Sequence, residues 1–187
     1  MIERAQALAL LKGYCKEEWL IKHSVATEAV MQALAKHLGH DPDQWGIAGL
    51  LHDLDYDETK EDPPRHTLRT EEILRNKGMD EEIIEAIKAH NAEALGMVRE
   101  KPFHFAVTCA ESITGLIVAT TLVYPDKKIA SVKPSSIVKR MKEKGFARTV
   151  RRDAIRECEK QKLGLGLEEF SELSLKAMQG ISDQLGL

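Results

Sequence analysis

The chain has 187 residues, 43% of them hydrophobic and 30% charged, with a formal net charge of -3. That length can bury a core within one domain, the balance is that of a soluble globular protein, and so small a charge gives no basis for a nucleic-acid partner. The cysteines, Cys15, Cys109 and Cys158, are odd in number and form no CxxC, which argues against a disulfide framework or zinc ribbon and for a reducing, cytoplasmic compartment.

Aromatics are scarce while Ala, Leu, Ile, Glu and Lys abound, which favours helices over sheets. Glu3 and Arg4 come early with no long apolar run behind them, so no signal peptide is expected. Ile2 to Lys12 reads as a short amphipathic helix ended by Gly13. Glu17 to Leu38 follows, with Leu20, Val25, Val30 and Leu34 near the helical period and Gly39 as its stop. Asp41-Pro42 starts the next helix: Asp41 can cap, Pro42 fits the first turn, and Gln44 stands where a capping box wants it. That helix delivers His52-Asp53 at or near its end.

Asp55 to Pro64 is the clearest loop, acidic and closed by Pro63-Pro64. His66 to Asn76 resumes a helix up to Gly78, and Asp80 caps another, Glu81 to His90, with Ile83, Ile84 and Ile87 inward. Phe103 to Val123 is a long apolar helix ended by Tyr124-Pro125-Asp126. Its greasiest part, Ile113 to Val123, is too short to span a bilayer and reads as core. Ser135 to Lys144, Thr149 to Gln161 and Leu167 to Leu185 are the last helices; Lys128 to Lys133 is the one β-like piece. The expectation is one all-α domain over 1–187, with the C-terminal helices 135–187 packed on the core.

Chemistry concentrates at His52-Asp53, where an apolar run, Ile47 to Leu51, meets an acidic segment. One imidazole and one carboxylate at a rigid helix end suit a divalent metal. Alone, the dipeptide is ordinary. His23 and His90 lean toward apolar faces of their helices but would also serve as core histidines bonded to carbonyls. His66 opens a helix and would equally be a surface residue. Glu111 interrupts the long apolar helix, where a carboxylate is costly unless paired or bound to metal. Together these residues offer four nitrogen donors and two carboxylates, enough for one ion or two.

His23, then Leu50-Leu51-His52-Asp53-Leu54, then His66, then Ala86-Ile87-x-x-His90, then Ala110-Glu111-x-x-Thr114-Gly115-Leu116 resembles the HD superfamily of metal-dependent phosphohydrolases, in particular its small HDIG-type members. The resemblance covers about His23 to Leu122. It implies an all-α bundle with a central metal site, the HD-type metal-binding core spanning about 20–122. It implies that His23, His52, Asp53 and Glu111 hold a first divalent ion and that Asp53 bridges to a second held by His66 and His90. Fe, Mn, Mg, Zn, Co and Ni are all candidates. Glu111 stands where the family usually has Asp, one methylene longer, and His-Asp-Leu-Asp replaces the His-Asp-Ile-Gly of the subgroup name.

The implied activity is hydrolysis of a small phosphate ester or nucleotide by metal-activated water, with Asp53 the catalytic residue that orients the water. Lys60, Arg65 and Arg69 flank the acidic loop and are candidates to bind the phosphate, or simply a solvated face opposed by Glu71 and Glu72. Lys88 and Arg99 are weaker candidates. His104, two turns before Glu111, is a substrate-facing group or, preferably, a helix-start residue. The basic run from Lys139 to Arg152 has no aromatic interleaving, so nucleic acid is not expected to bind it. The partner is a small phosphorylated substrate, not a membrane; a homo-oligomer is compatible with the sequence. Two rivals stand beside the hydrolase: a di-iron oxygenase using the same ligands, and a metal-bearing regulatory module without turnover.

Overall fold

The computed structural model describes residues 2–159 and 163–187, and every regular element among them is helical. The first helices are α1 (Arg4–Tyr14), α2 (Glu18–Leu38) and α3 (Pro42–Leu51). Two of their boundaries follow from chemistry visible in the sequence. Gly39 adopts φ 76°, the left-handed conformation that ends α2 at little cost. Asp41 accepts hydrogen bonds from the amides of Asp43 and Gln44, with Pro42 in the first turn of α3. The capping box is absent there, because the Gln44 side chain turns away to Glu82 at 3.3 Å. Gly13 does not end α1. The helix runs through it to Tyr14 and stops where the Cys15 amide bonds the Leu11 carbonyl, with Leu11 anchored in the core.

The acidic segment expected as a loop contains a single helical turn, α4 (Tyr56–Thr59), and a 3-10 turn at Pro63–Arg65. Next come α5 (Leu68–Asn76) and α6 (Glu81–Ala89). α5 starts later than the sequence suggests because Thr67 sits at φ 74°, which keeps His66 out of the helix. Asp80 caps α6 through the Glu82 amide. After the short α7 (Ala92–Leu95) comes the long α8 (Pro102–Leu122). α8 has 21 residues and enough apolarity to cross a membrane, but 72% of that stretch is buried inside the bundle. It is the core helix that its composition suggests, longer than its greasiest segment alone.

The remaining helices are α9 (Pro134–Met141), α10 (Arg152–Ile155), α11 (Leu167–Gln179) and α12 (Ser182–Leu185). The β-like piece at 128–133 forms no strand but a 3-10 turn, Ile129–Ser131, whose Ile129 is buried. The helix expected over Thr149 to Gln161 is reduced to α10 and a 3-10 turn, Arg156–Glu159; its last two positions, 160 and 161, lie outside the described residues. The final expected helix divides at Gly180 into α11 and α12, as the low helix propensity of glycine allows.

α2 is the organising element. It packs on α3, α8 and α11, while α6 closes against α3 and α8. Leu20, Met31 and Leu34 of α2 meet Leu50 and Leu51 of α3, Ile83, Ile84 and Ile87 of α6, and Ile113 and Leu116 of α8 in one buried cluster that Phe170 of α11 also joins. α3 approaches α2 closely because Gly49 has no side chain: a Cβ there would stand 2.9 Å from the Thr27 carbonyl oxygen. This contact, at the middle of α2, brings the end of α3, and with it His52, against the N-terminal part of α2, where His23 lies.

A candidate metal centre

His52 is the C-terminal cap of α3 and Asp53 follows it, both buried. Asp53 is the hub. Its Oδ2 lies 3.2 Å from His52 Nε2 and 3.7 Å from His23 Nε2, and its Oδ1 lies 3.2 Å from His66 Nε2 and 3.6 Å from His90 Nε2. The two histidines on each oxygen also face one another, His23 and His52 through Nε2 atoms 3.2 Å apart and His66 and His90 through Nε2 atoms 2.9 Å apart. Two trios result, His23–His52–Asp53 and Asp53–His66–His90, sharing the aspartate.

What aims the rings is their other nitrogen. His52 Nδ1 donates to the Gly49 carbonyl at 2.9 Å and His90 Nδ1 to the Ile87 carbonyl at 2.6 Å, each inside the last turn of its own helix. His66 Nδ1 donates to Asp55 Oδ1 at 2.8 Å; Asp55 is itself buried and takes the Thr70 amide at 3.0 Å on its other oxygen. His23 Nδ1 donates to the Thr114 hydroxyl at 3.1 Å, which in turn donates to the Glu111 backbone carbonyl at 2.7 Å. With the proton assigned to Nδ1 by its acceptor, all four neutral rings turn an Nε2 lone pair toward Asp53. Such outer hydrogen bonds to an imidazole are how protein metal sites fix ligand orientation.

Four lone pairs and a carboxylate converging this closely repel one another unless a cation or protons lie between them. For donors about 2.1 Å from a metal, neighbouring donors sit roughly 3.0 Å apart at a right angle and roughly 3.4 Å apart in a tetrahedron. The 2.9–3.7 Å separations of the two trios fall around that range. The donor set of imidazole nitrogens and carboxylate oxygens therefore fits a divalent transition metal in each trio.

The electrostatics agree. Burial works against a charge on His52 and His66, but Asp53 outweighs it in both, aided at His66 by Asp55, and His66 is raised to about 9. Burial and the neighbouring His52 hold His23 down at about 4; burial also holds His90 at about 4 despite its bond to Asp53. The Asp53 carboxyl stays well below its usual range: burial opposes ionisation, but His52 more than offsets it. Each trio therefore pairs one imidazole that favours a positive charge with one that resists it.

Of the six ligands read from the sequence, these five are brought together. The sixth, Glu111, is not in either trio. Its carboxylate takes the Ser112 hydroxyl at 2.5 Å and lies 3.8 Å from the Arg151 guanidinium, and burial raises its pKa.

Beside the centre lies a cavity of about 700 Å³, walled by α2, α8 and the segment 149–151, that reaches Asp53 and Glu111. The cations in its lining are Lys22 and Arg151. The phosphate-binding candidates lie elsewhere: Lys60 is exposed, Arg65 is 4.0 Å from Asp62, and Arg69 pairs with Glu72, none of them on the cavity wall. Lys88 is paired with Glu71, and Arg99 binds Glu93, the Ala89 carbonyl and Thr108. His104 is buried in the first turn of α8, its Nδ1 accepting from the Glu100 amide. Within the basic run, Arg152 gathers backbone carbonyls of Glu143, Phe146, Ala147 and Val150, which is a structural task. Its neighbour Arg151 bonds the His90 carbonyl at 3.0 Å and points to the centre. Nothing in the periodicity of that run distinguishes the two arginines. Asp55 was legible only as one of several loop acids.

A helical bundle with paired His/Asp trios on one shared aspartate defines a class of metal-site protein. The family model for the HD domain matches residues 20–119, and the chain belongs to the HD domain family, whose members are in general metal-dependent phosphohydrolases. No curated protein matches the chain.

Proposed function

We propose that the protein is a metal-dependent phosphohydrolase acting on a small phosphate ester. The observation that carries this reading is the convergence of four oriented Nε2 atoms on both oxygens of buried Asp53. His23, His52 and Asp53 would hold one divalent ion, and Asp53, His66 and His90 a second. Such an ion supplies Lewis acidity and a water that is nucleophilic near neutral pH.

The chain's own residues supply binding and orientation. Arg151 lines the cavity and would attract the phosphate, while Lys22, also in the lining, is paired with Glu18 at 2.8 Å. Arg151, tied to the His90 carbonyl and to Glu93, presents its guanidinium from a fixed place. Asp53 would orient the attacking water; what supports this role is that its two oxygens lie among the four Nε2 atoms.

The test is a phosphatase screen of protein loaded in turn with Mn, Mg, Co, Zn and Fe, with His52→Ala and Asp53→Ala as controls. Turnover that both substitutions abolish supports the reading. Stoichiometric metal binding without turnover for any metal would make the protein a binding module, and dioxygen consumption by the iron form would make it an oxygenase.

A further inference from the structure

The cavity is not uniform along its length. On α8, Glu111, Ser112 and Thr114 line its metal end, while Val118, Ala119 and Leu122 line the rest. From Glu111 to Leu122 the wall runs about 16 Å at the helical rise of 1.5 Å per residue. The facing walls continue the change: Val150 stands beside Gly115, and Leu185 and Leu187 close the far side. Among the described residues, the polar groups along this far part are Thr149 and Lys22. A sugar or nucleobase needs several directed hydrogen-bond partners, because its polar atoms lose water on entering.

A second observation points the same way. The large apolar side chains left exposed include Trp19 at 54% and Leu122 at 51%, and both belong to this cavity. Trp19 stands edge-on to Tyr56 at 5.7 Å, and Tyr56 edge-on to His66 at 6.1 Å, so an aromatic rim leads to the metal ligands. Leu68, Val98 and Val123 are exposed away from the cavity, but Trp19 and Leu122 share its lining, and apolar side chains left bare together at a site point to what it receives.

We propose that the substrate is a phosphate monoester of an apolar alcohol, its phosphate at the metal end beside Arg151 and its hydrocarbon along Val118, Ala119 and Leu122. This rests on the phosphohydrolase reading for the phosphate end. Hydrolysis breaks the phosphorus–oxygen ester bond: water adds its oxygen to phosphorus, and the alcohol leaves carrying a proton.

The probe is a series of n-alkylphosphonates from methyl to hexyl, which cannot be hydrolysed at the ester position, titrated into metal-loaded protein by calorimetry. Trp19 fluorescence gives a parallel signal, since the other tryptophan, Trp45, is 2% exposed and stacked on Phe103. The dissociation constant should fall about two- to fourfold for each methylene added. Leu122→Asn, at a half-exposed helix end, should weaken hexylphosphonate about tenfold and leave methylphosphonate unchanged. Ala119→Phe, which fills the far part, should shorten the longest chain that still gains affinity. An affinity independent of chain length, or ribose 5-phosphate displacing hexylphosphonate, would overturn the assignment. Hydrolysis of phosphate esters without chain-length dependence would sink this inference and keep the phosphohydrolase. Chain-length dependence without hydrolysis by any metal form would overturn the phosphohydrolase reading and with it the substrate assignment, leaving only an alkyl-binding cavity.

Discussion

Replacing Gly49 with alanine tests how the fold sets the centre. The added Cβ would lie 2.9 Å from the Thr27 carbonyl oxygen, 3.0 Å from the Glu28 amide nitrogen and 2.9 Å from Met31 Cγ. Two of these are backbone atoms of α2 and cannot swing aside, so α2 and α3 must separate by a few tenths of an ångström. Overpacking of this kind costs about 1–3 kcal/mol, and alanine returns about 0.8–1.0 kcal/mol in helix propensity. The net loss is about 1 kcal/mol, a fall in melting temperature of about 2–4 °C for a chain of this size. Gly13→Ala is the matched control, since nothing lies within 4 Å of its Cβ and it lies in α1; there the propensity gain, up to about 1 kcal/mol, stands alone. Thermal melts in excess chelator read both without metal linkage. Because the Gly49 carbonyl also holds His52 Nδ1, the same shift should open the 3.2 Å His23–His52 pair and weaken metal binding about tenfold or more. A Gly49→Ala protein that melts at or above wild type would refute the claim that this contact is tight.

Further outcomes follow from the hydrogen bonds behind the ligands. Thr114→Val removes the acceptor of His23 Nδ1 and should lower metal affinity about 10- to 100-fold in competition with a chromophoric chelator, with little change in melting temperature. Asp55→Asn removes a buried carboxylate that holds both His66 and the Thr70 amide and should destabilise the metal-free protein by about 2–3 kcal/mol in urea unfolding. His66 has a folded pKa of about 9 against an ordinary value near 6.5. Its stabilising pairing in chelated protein is therefore complete below about pH 6.5 and lost as pH rises through about 9. Melts between pH 6 and 10 should show this decline in wild type and not in His66→Gln; a flat wild-type profile would contradict the pairing.

The sequence carried the fold wherever a single residue's backbone chemistry decides: Gly39, Asp41-Pro42 and Asp80 mark helix ends that the structure retains. It misled where tertiary packing overrides a local signal. Gly13 stays helical because Leu11 is anchored, and 128–133 coils because Ile129 turns into the core. The histidines and Asp53 were legible as an ordered pattern, yet their convergence depends on the close contact at Gly49, which no periodicity reveals. Lys60, Arg65 and Arg69 lie near His66 in sequence, whereas the cavity takes its cations from α2 and from the segment before α10. Arg151 is distant from the motif in sequence and near it only through the return of the chain across α8.

The central claim is that two cations share Asp53, and metal stoichiometry tests it most directly. Protein loaded with excess Mn or Zn and then desalted should carry two equivalents by elemental analysis, one for each trio. His66→Ala should keep the ion at His23 and His52 and lose the other, while Asp53→Ala should lose both. A wild-type protein that retains no metal, or an Asp53→Ala protein that retains as much as wild type, would contradict the account.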